Sequence, residues 1–153
     1  MNGKIIMNKS KVRAVCISEK QGTAKRPVEQ IFVKASYGIE GDAHAGEASN
    51  RQVSLLANES VDKLRSKIPD IKAGAFAENI LTEGIILYDL RIGTLIRIGK
   101  VLLMITQIGK ECHDGACAIK QQTGDCCMPR EGVFAEVIEG GIIKPGDFIN
   151  IES

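Results

Sequence analysis

The sequence predicts a mainly β domain, a closed or partly open β-barrel with a few short helices. Short apolar runs in alternation with polar residues, glycine-marked turns between them and only one segment of clear helical periodicity all favour this class. The chain has 153 residues, of which 44% are hydrophobic, and this suffices for one core without disulfides. We therefore expect a flexible tail over residues 1–10 and a single domain over residues 11–153.

The predicted strands follow one another with short connections. Val12–Ser18 alternates between apolar and polar residues, and Gln52–Leu56 forms a second strand. Between them, Tyr37–Asn50 is rich in glycine and alanine around acidic and imidazole groups, which is typical of an ordered loop. Gly99–Lys100 suits a two-residue hairpin turn. The remaining elements are a basic loop through Gly22–Pro27, a short apolar run at Ile31–Val33, and strands at Thr94–Ile98, Val101–Gln107, Val133–Ile138 and Phe148–Ile151.

The clearest predicted helix begins at Asn58, a residue type that caps helix N-termini well. Glu59 then lies in the first turn, where the helix dipole favours an anion, and pairs with Lys63 four residues later. Pro69 ends the helix because proline cannot continue the backbone hydrogen bonding. The apolar positions of one face follow helical spacing: Val61, Leu64 and Ile68.

The charge balance is nearly neutral, with 20 basic and 19 acidic side chains and a net charge of +1. Such a chain is not attracted broadly to nucleic acid or to membranes, and any anion site must be local. Aromatic residues make up 4% with no tryptophan, which argues against a surface that stacks bases. No apolar run is long enough for a secretory signal or a membrane span. We expect a cytoplasmic protein with no nucleic-acid or membrane partner.

The five cysteines do not resemble a secreted disulfide framework. Their number is odd, and four of them lie within sixteen positions. Such a cluster in a reducing compartment indicates metal binding, redox chemistry or sulfur handling. The one at position 16 lies in an alternating strand and is expected in the core. The others are Cys112, Cys117, Cys126 and Cys127.

The cysteine segment, Gly109–Arg130, holds the strongest candidate for a reactive group. Cys112 lies between Lys110 and His113, and neighbouring cations stabilise a thiolate. A thiolate can attack, bind metal or accept a persulfide sulfur. Cys117 is near enough in sequence to act as a resolving thiol, and Arg130 could receive a phosphate or carboxylate.

Two other interpretations of this segment stay open. Cys112, His113, Cys117 and one of Cys126 or Cys127 could form a zinc site, although the paired C-x-x-C knuckles of structural zinc modules are absent. Individual cysteines could instead serve as small apolar core residues, because free cysteine is often buried.

Two further motifs contain candidate site residues. In GDAHAG, Asp42 and His44 supply an acceptor and a proton carrier, and Arg51 follows as a fixed cation. The alternative is a turn in which Asp42 caps and His44 is solvated. In GAFAENI, the Glu78–Asn79 pair could orient the first loop, could contact a ligand, or could form a turn in which Asn79 satisfies backbone groups.

Three strings in this order resemble the MOSC family, named after the C-terminal part of molybdenum cofactor sulfurase. They are YGIEGDAHAG…RQVSLL, GAFAENILTEGI…LRIGTLIRIG, and the cysteine segment with REGVFAEVIEGGIIKPGDFI. Together they cover about Tyr37 to Ile151. The resemblance implies a β-strand-rich barrel with a role in molybdenum-cofactor biology, as a molybdopterin-binding domain or a carrier of abstracted sulfur.

The resemblance also implies site residues. Cys112 matches the family's characteristic cysteine, as a persulfide carrier or a molybdenum ligand, with His44 as its partner in catalysis. The positions that match the family's other recurrent polar residues, and would hold the cofactor, are Asp42, Arg51, Glu78, Asn79 and Arg130. The three additional cysteines exceed the single one that the family requires.

Larger relatives join this domain to a pyridoxal-phosphate-dependent desulfurase, whereas no pyridoxal-phosphate site is identifiable here. The implied partners are therefore a separate cysteine desulfurase as sulfur donor and a molybdoenzyme as acceptor. Two other functions stay open: a minimal molybdenum-dependent reductase of N-hydroxylated compounds, and a zinc-stabilised binding module.

Overall fold

The structure is a computed structural model that describes residues 10–20, 24–43, 45–46, 49, 51–109 and 131–152. These residues form eleven strands, one short α-helix (α1) and a 3₁₀ turn at Leu87–Asp89. In chain order, the strands up to the 3₁₀ turn are β1 (Lys11–Ile17), β2 (Arg26–Val28), β3 (Ile31–Lys34), β4 (Gly38–Ile39), β5 (Val53–Ala57) and β6 (Ile80–Glu83). The strands after it are β7 (Leu95–Ile98), β8 (Val101–Ile108), β9 (Val133–Glu139), β10 (Gly141–Ile143) and β11 (Ile149–Glu152).

Eight strands form one sheet in the order β11-β7-β8-β9-β5-β6-β1-β2, and β10-β3-β4 form a second, smaller sheet. All pairs are antiparallel except β5 with β6. The large sheet curls so that its two ends approach. The Val12 amide donates to the Asp147 carbonyl at 2.8 Å, and the Ile149 amide donates to the Ser10 carbonyl at 2.9 Å. The sheets do not close into a complete barrel, and the predicted mainly β, closed or partly open architecture is confirmed.

Side chains alternate between the two faces of the large sheet, and each face has its own apolar core. Along β5, Leu55 packs in the main core, whereas Leu56 packs in a second core under α1. Ser54, one residue before Leu55, points to the same side as Leu56. The second core is small, and its buried members are Leu56, Val61, Leu64, Ile71, Phe76, Leu81 and Phe134. Ser54 therefore adds a polar side chain to the same face of the sheet as this second core.

The long predicted strands are confirmed to within one or two residues. Val12–Ser18 is found as β1, and Gly99–Lys100 connects β7 to β8 with Gly99 at φ +60°. Strand β6 was not predicted, although its central residues are fully buried. A short parallel strand buried on both faces lacks the polar alternation that identifies half-exposed strands. The other three missed strands, β2, β4 and β10, have only two or three residues each, and β4 lies inside the segment predicted to be a loop.

The predicted helix is shorter than its periodicity suggested, because α1 covers only Asn58–Asp62. The N-cap is Ala57 and not Asn58, and no side chain caps the helix. Beyond Asp62 the chain tightens: the amides of Leu64 and Arg65 donate to carbonyls three residues earlier. Leu64 still packs in the second core, so burial and not helical hydrogen bonding fixes this segment. No described helix has the length and apolar character needed to cross a membrane.

The predicted Glu59–Lys63 pair was also wrong. Glu59 accepts a hydrogen bond from the Gly84 amide at 2.8 Å, and Lys63 forms an ion pair with Glu131 at 2.8 Å. These longer-range partners are available because the helix ends before the two side chains can align along one face.

Candidate functional site

Four of the seven predicted site residues lie within the described part of the chain: Asp42, Arg51, Glu78 and Asn79. His44, Cys112 and Arg130 lie outside the described residues, as do the other three cysteines of the cysteine segment and the tail before Ser10. The described residues contain no group of three histidine, cysteine or acidic side chains that could hold a metal. The proposed zinc ligands are among the residues that are not described.

Asp42 forms a buried ion pair with Lys25. The Lys25 Nζ donates to Asp42 Oδ1 at 2.7 Å, and the two side chains are 1% and 0% exposed. The same oxygen accepts the Ser18 amide at 3.1 Å. A buried charge needs such partners, because its desolvation is otherwise costly. The pair therefore fixes the loop that carries Asp42 against the end of β1.

The turn at Gly74 holds Lys25 and Glu78 together. The Lys25 amide donates to the Gly74 carbonyl at 2.8 Å, and Gly74 adopts φ +90°. A Cβ at Gly74 would lie only 2.1 Å from the Lys25 carbonyl oxygen, so only glycine permits this approach. The Glu78 carboxylate accepts the amides of Gly74 and Phe76 at 2.7 and 3.1 Å. The turn thus depends on one glycine and one buried carboxylate.

Burial is the dominant influence on Glu78, which is 0% exposed. Desolvation raises the pKa of the Glu78 carboxyl above its ordinary value, while the amide hydrogen bonds from Gly74 and Phe76 and the charge of Lys25 act in the opposite direction. Both oxygens of the Glu78 carboxyl group therefore accept hydrogen bonds from backbone amides of the same turn.

Asn79 joins β1 to β5. Its side-chain oxygen accepts both the Ser54 amide at 3.0 Å and the Ser54 hydroxyl at 3.1 Å, and its side-chain nitrogen donates to the Cys16 carbonyl at 3.1 Å. Asn79 is 0% exposed. These contacts correspond to the alternative in which Asn79 satisfies backbone groups.

Gln52 connects the Tyr37–Asn50 loop to the sheet. Its side-chain nitrogen donates to the Gly46 carbonyl at 3.2 Å, and its side-chain oxygen accepts the Val137 amide at 3.0 Å. The Gly46 amide donates in turn to the Tyr37 carbonyl at 2.7 Å, which closes the loop on itself. These contacts and the Asp42–Lys25 pair together hold the described residues of this loop against the sheet.

Arg51 differs from the other three described candidates because it is exposed. Its Nε donates to Gln107 Oε1 at 2.9 Å, and its guanidinium carbon lies 5.2 Å from the centre of the Phe134 ring. The Gln107 side chain donates to the carbonyl of Gly109, the first residue of the cysteine segment, at 2.7 Å. The guanidinium is therefore oriented beside the start of that segment, and its two terminal nitrogens hydrogen-bond no described residue.

Cys16 is buried, as predicted, at 0% exposure. Burial first, and then the charge of Glu78, raise the pKa of the Cys16 thiol to about 12, against the opposing charge of Lys25. A thiol with this pKa stays protonated and unreactive at neutral pH.

Several side chains that organise this region were not predicted from the sequence. Lys25 lay in what was predicted to be a polar loop, and Ser54 and Gln107 lay in strands without any distinguishing motif. For Lys25, the one feature of the sequence that could have indicated a buried role was its position beside a predicted buried strand. The four described candidates form two groups: Asp42, Glu78 and Asn79 belong to a buried polar network, and Arg51 is a surface cation beside the cysteine segment.

The fold and this site define a class: small, mainly β domains in which a buried polar network supports a surface cation next to a cysteine-bearing segment. The sequence model of the MOSC domain matches residues 40–150. The chain therefore belongs to the MOSC domain family, which is associated with molybdenum-cofactor binding and sulfurase-like function.

Solved structures of low sequence identity share the fold. YuaD from Bacillus subtilis aligns with a TM-score of 0.77 and 18% identity over 94% of this chain and 96% of that protein. YiiM from Geobacillus stearothermophilus aligns with a TM-score of 0.72 and 20% identity over 94% and 75% of the two chains. YiiM from Escherichia coli gives 0.63 and 20% over 94% and 70%. No curated protein matches the sequence.

Proposed function

We propose that this protein binds the molybdenum cofactor or carries sulfur for it, with Cys112 as the working group. The observation that carries the proposal is the position of Arg51, a fixed and exposed cation that Gln107 links to the first residue of the cysteine segment. Cys112 follows Gly109 by three residues, so their Cα atoms lie within about 11 Å of each other. An anion held by Arg51 would thus lie within reach of the thiol.

The geometry of Arg51 fits the phosphate of a pterin cofactor. Its Nε is occupied by Gln107, and the ring of Phe134 supports one face of the guanidinium. Two terminal nitrogens remain to donate in parallel to phosphate oxygens, a geometry that arginine provides and lysine does not. Arg130, at the other end of the cysteine segment, is the proposed second phosphate ligand.

Asp42, Glu78 and Asn79 fit a supporting role better than direct contact. Their side chains are buried, and each already accepts or donates two or more hydrogen bonds inside the protein. Direct contact with a cofactor would break those bonds. We propose that the three hold the loop of His44 and the start of β5 in register, with Arg51 directly before that strand.

The chemistry proposed for Cys112 starts from its thiolate, which Lys110 and His113 favour by their charge. The thiolate attacks the outer sulfur of a persulfide donor, one S–S bond forms on Cys112 as the donor's breaks, and the donor leaves as a thiolate. No net oxidation occurs. Alternatively, the same thiolate binds molybdenum directly, since soft sulfur suits such a centre. When bound, the cofactor would supply the redox chemistry, and His44 would hold or release a proton.

The proposed partners follow from this chemistry. A separate cysteine desulfurase would supply the sulfur, and a molybdoenzyme would receive it or the cofactor in the cytoplasm.

Sulfur transfer to Cys112 is tested by mass spectrometry after the reduced protein reacts with a low-molecular-weight persulfide. We expect one added sulfur on the peptide that contains Cys112, and none in Cys112→Ala. Cys16→Ala is the matched control. The Cys16 thiol is buried and is not expected to take up sulfur, so this variant should gain the same single sulfur on the Cys112 peptide as the wild type. Equal labelling of wild type and Cys112→Ala contradicts the carrier role.

Cofactor binding is tested separately with purified molybdopterin. Arg51→Gln removes the charged hydrogen bonds and is expected to weaken binding about 10- to 100-fold. Arg91→Gln, which changes another exposed arginine, should leave the affinity within roughly 2-fold. The proposal would be overturned if Cys112→Ala still formed the persulfide and Arg51→Gln still bound the pterin with wild-type affinity. One tightly held zinc per chain would favour the zinc-stabilised module instead.

A further inference from the structure

A separate cavity lies at the opposite end of β5 from Arg51. It has a volume of about 130 Å³ and is formed by the end of β5, by α1 and by the segment that follows β6. Most of its walls are apolar. The lining residues that matter here are Ala57, Ser60, Lys63, Ile85, Ile86 and Tyr88.

The polar groups around this cavity differ in whether they already have partners within the protein. Glu59 is engaged by the Gly84 amide, and Lys63 is engaged by Glu131. Ser60 is different: it is 2% exposed, and its hydroxyl hydrogen-bonds none of the described residues. Among the described residues, only Thr82 has a side-chain polar atom that is both sealed from solvent and without a partner, so the Ser60 oxygen stays accessible. A ligand in the cavity can therefore exchange a hydrogen bond with Ser60 in place of water.

The rim of the cavity contains large apolar side chains that folding leaves in water. Ile86 is 56% exposed, and Tyr88 is 38% exposed. The Lys63 ammonium lies 5.7 Å from the centre of the Tyr88 ring, which helps to orient that ring. An apolar ligand in the cavity would cover part of this surface and remove it from water.

The size of the cavity limits what it can hold. An apolar cavity of about 150 Å³ accommodates benzene, so the space here suits one six-membered ring and not a fused ring system. A pterin is therefore too large for it.

We propose that this cavity is a second binding site, distinct from the site beside Arg51, for a small molecule with one aromatic ring and one hydroxyl group. The ring packs between Ile85, Ile86 and Tyr88, and the ligand's hydroxyl exchanges a hydrogen bond with Ser60. This inference does not depend on the proposed cofactor function.

The position of the site adds a structural consequence. Lys63 lines the cavity and also holds Glu131, the first described residue after the cysteine segment. A bound ring would therefore contact the same lysine that anchors the chain where that segment ends.

Phenol and toluene provide a matched pair of probes, because they share shape and differ in one hydrogen-bonding group. We expect phenol to bind the full chain with a dissociation constant on the order of 1 mM, and toluene to bind about 10-fold more weakly. Two-dimensional NMR titration should shift the amides of Ala57, Ile85 and Ile86. The amide of Ile142, on the other sheet, serves as the control and should not move.

Variants of Ser60 test the hydrogen bond and the cavity separately. Ser60→Ala should lower phenol affinity to that of toluene without changing toluene affinity. Ser60→Leu should fill the cavity and abolish the binding of both probes. An unchanged NMR spectrum of the smaller sheet would show that this variant is folded. If it does not fold, Ile86→Ala, which removes part of the cavity wall, should weaken the binding of both probes. Absence of shifts at 20-fold the expected dissociation constant, or equal affinity for both probes in the wild type, would overturn the proposal.

Discussion

Replacing Lys25 by methionine removes the cation of a fully buried ion pair while it keeps most of the length of the side chain. The pair joins Lys25 Nζ to Asp42 Oδ1 at 2.7 Å, with both side chains at most 1% exposed. Removal of one partner leaves a buried carboxylate that only the Ser18 amide and its other protein contacts stabilise. We expect Lys25→Met to lower the free energy of unfolding by about 3–5 kcal/mol.

The double variant Lys25→Met/Asp42→Leu tests the electrostatic origin of this loss. Replacing both members of a buried ion pair by apolar groups is often neutral or stabilising, so the double variant should recover most of the lost stability. Lys11→Met is the matched surface control. Lys11 is 45% exposed and its ion pair with Glu83 spans 3.9 Å, so its removal should cost less than about 1 kcal/mol.

The measurement is equilibrium unfolding in urea, with the same protein concentration and pH for all four proteins. Two results would refute the reasoning. A loss below about 1 kcal/mol in Lys25→Met would mean that the pair contributes no more than a surface contact. A double variant less stable than Lys25→Met would mean that packing, and not charge, fixes this part of the protein.

Three further predictions concern the same network and the main core. Gly74→Ala should lower the unfolding free energy by at least about 2 kcal/mol more than Gly93→Ala, because both have φ near +90° but only Gly74 would place a Cβ 2.1 Å from a backbone oxygen; equal losses in urea unfolding would contradict the close approach. Thr82→Val should raise the midpoint of thermal unfolding, with a gain of about 1 kcal/mol, because the Thr82 hydroxyl is the one buried side-chain polar atom without a partner in the described part of the chain. Thr106→Val, whose hydroxyl donates to the Phe134 carbonyl, should instead lose stability, and a gain in both would rule out this explanation. For Glu78, the folded-state pKa lies above the ordinary 4.5, so its stabilising contribution is complete below that pH and is lost as pH rises through the folded-state pKa. Relative to Glu78→Gln, the wild type should therefore lose stability as pH rises from 4.5, by at most about 1.4 kcal/mol per pH unit; a difference that does not change with pH would refute the shift.

Local sequence patterns were sufficient for the long strands but not for the helix. Val101–Gln107 is a mostly apolar run directly after the Gly99–Lys100 turn, and the strand in the structure is longer by only one residue. The helix from Asn58 was expected to continue to Pro69, yet it ends at Asp62. Apolar spacing reports which side chains are buried, and Leu64 and Ile68 do pack on the second core. It does not distinguish a continuous helix from successive tight turns that bury the same residues.

The sequence motifs pointed to residues that the structure places in one buried polar network, but not to the contacts that each of them makes. The motifs identified Asp42, Glu78 and Asn79 as functional candidates, because acidic and amide groups among small residues indicate either a ligand site or a turn. The contact that distinguishes these roles for Asp42 is with Lys25, seventeen residues away. No local pattern encodes such a pairing, since it depends on how β1 and the following loop pack in three dimensions.

Arg51 is the strongest ligand-binding candidate among the described residues, because it is not enclosed in the buried network. A buried polar side chain with all its partners inside the protein contributes to the position of other groups, and a ligand could reach it only by breaking existing hydrogen bonds. Arg51 is in the opposite situation: the neighbouring glutamine and aromatic ring restrict its orientation, yet the residue is exposed and its terminal nitrogens hydrogen-bond no described residue. Restricting a charged group before a ligand arrives lowers the entropy lost on binding. The buried network therefore supports binding indirectly, because it holds two of the three residues that follow Arg51. Gln52 is held by the loop and by β9, and Ser54 is held by Asn79.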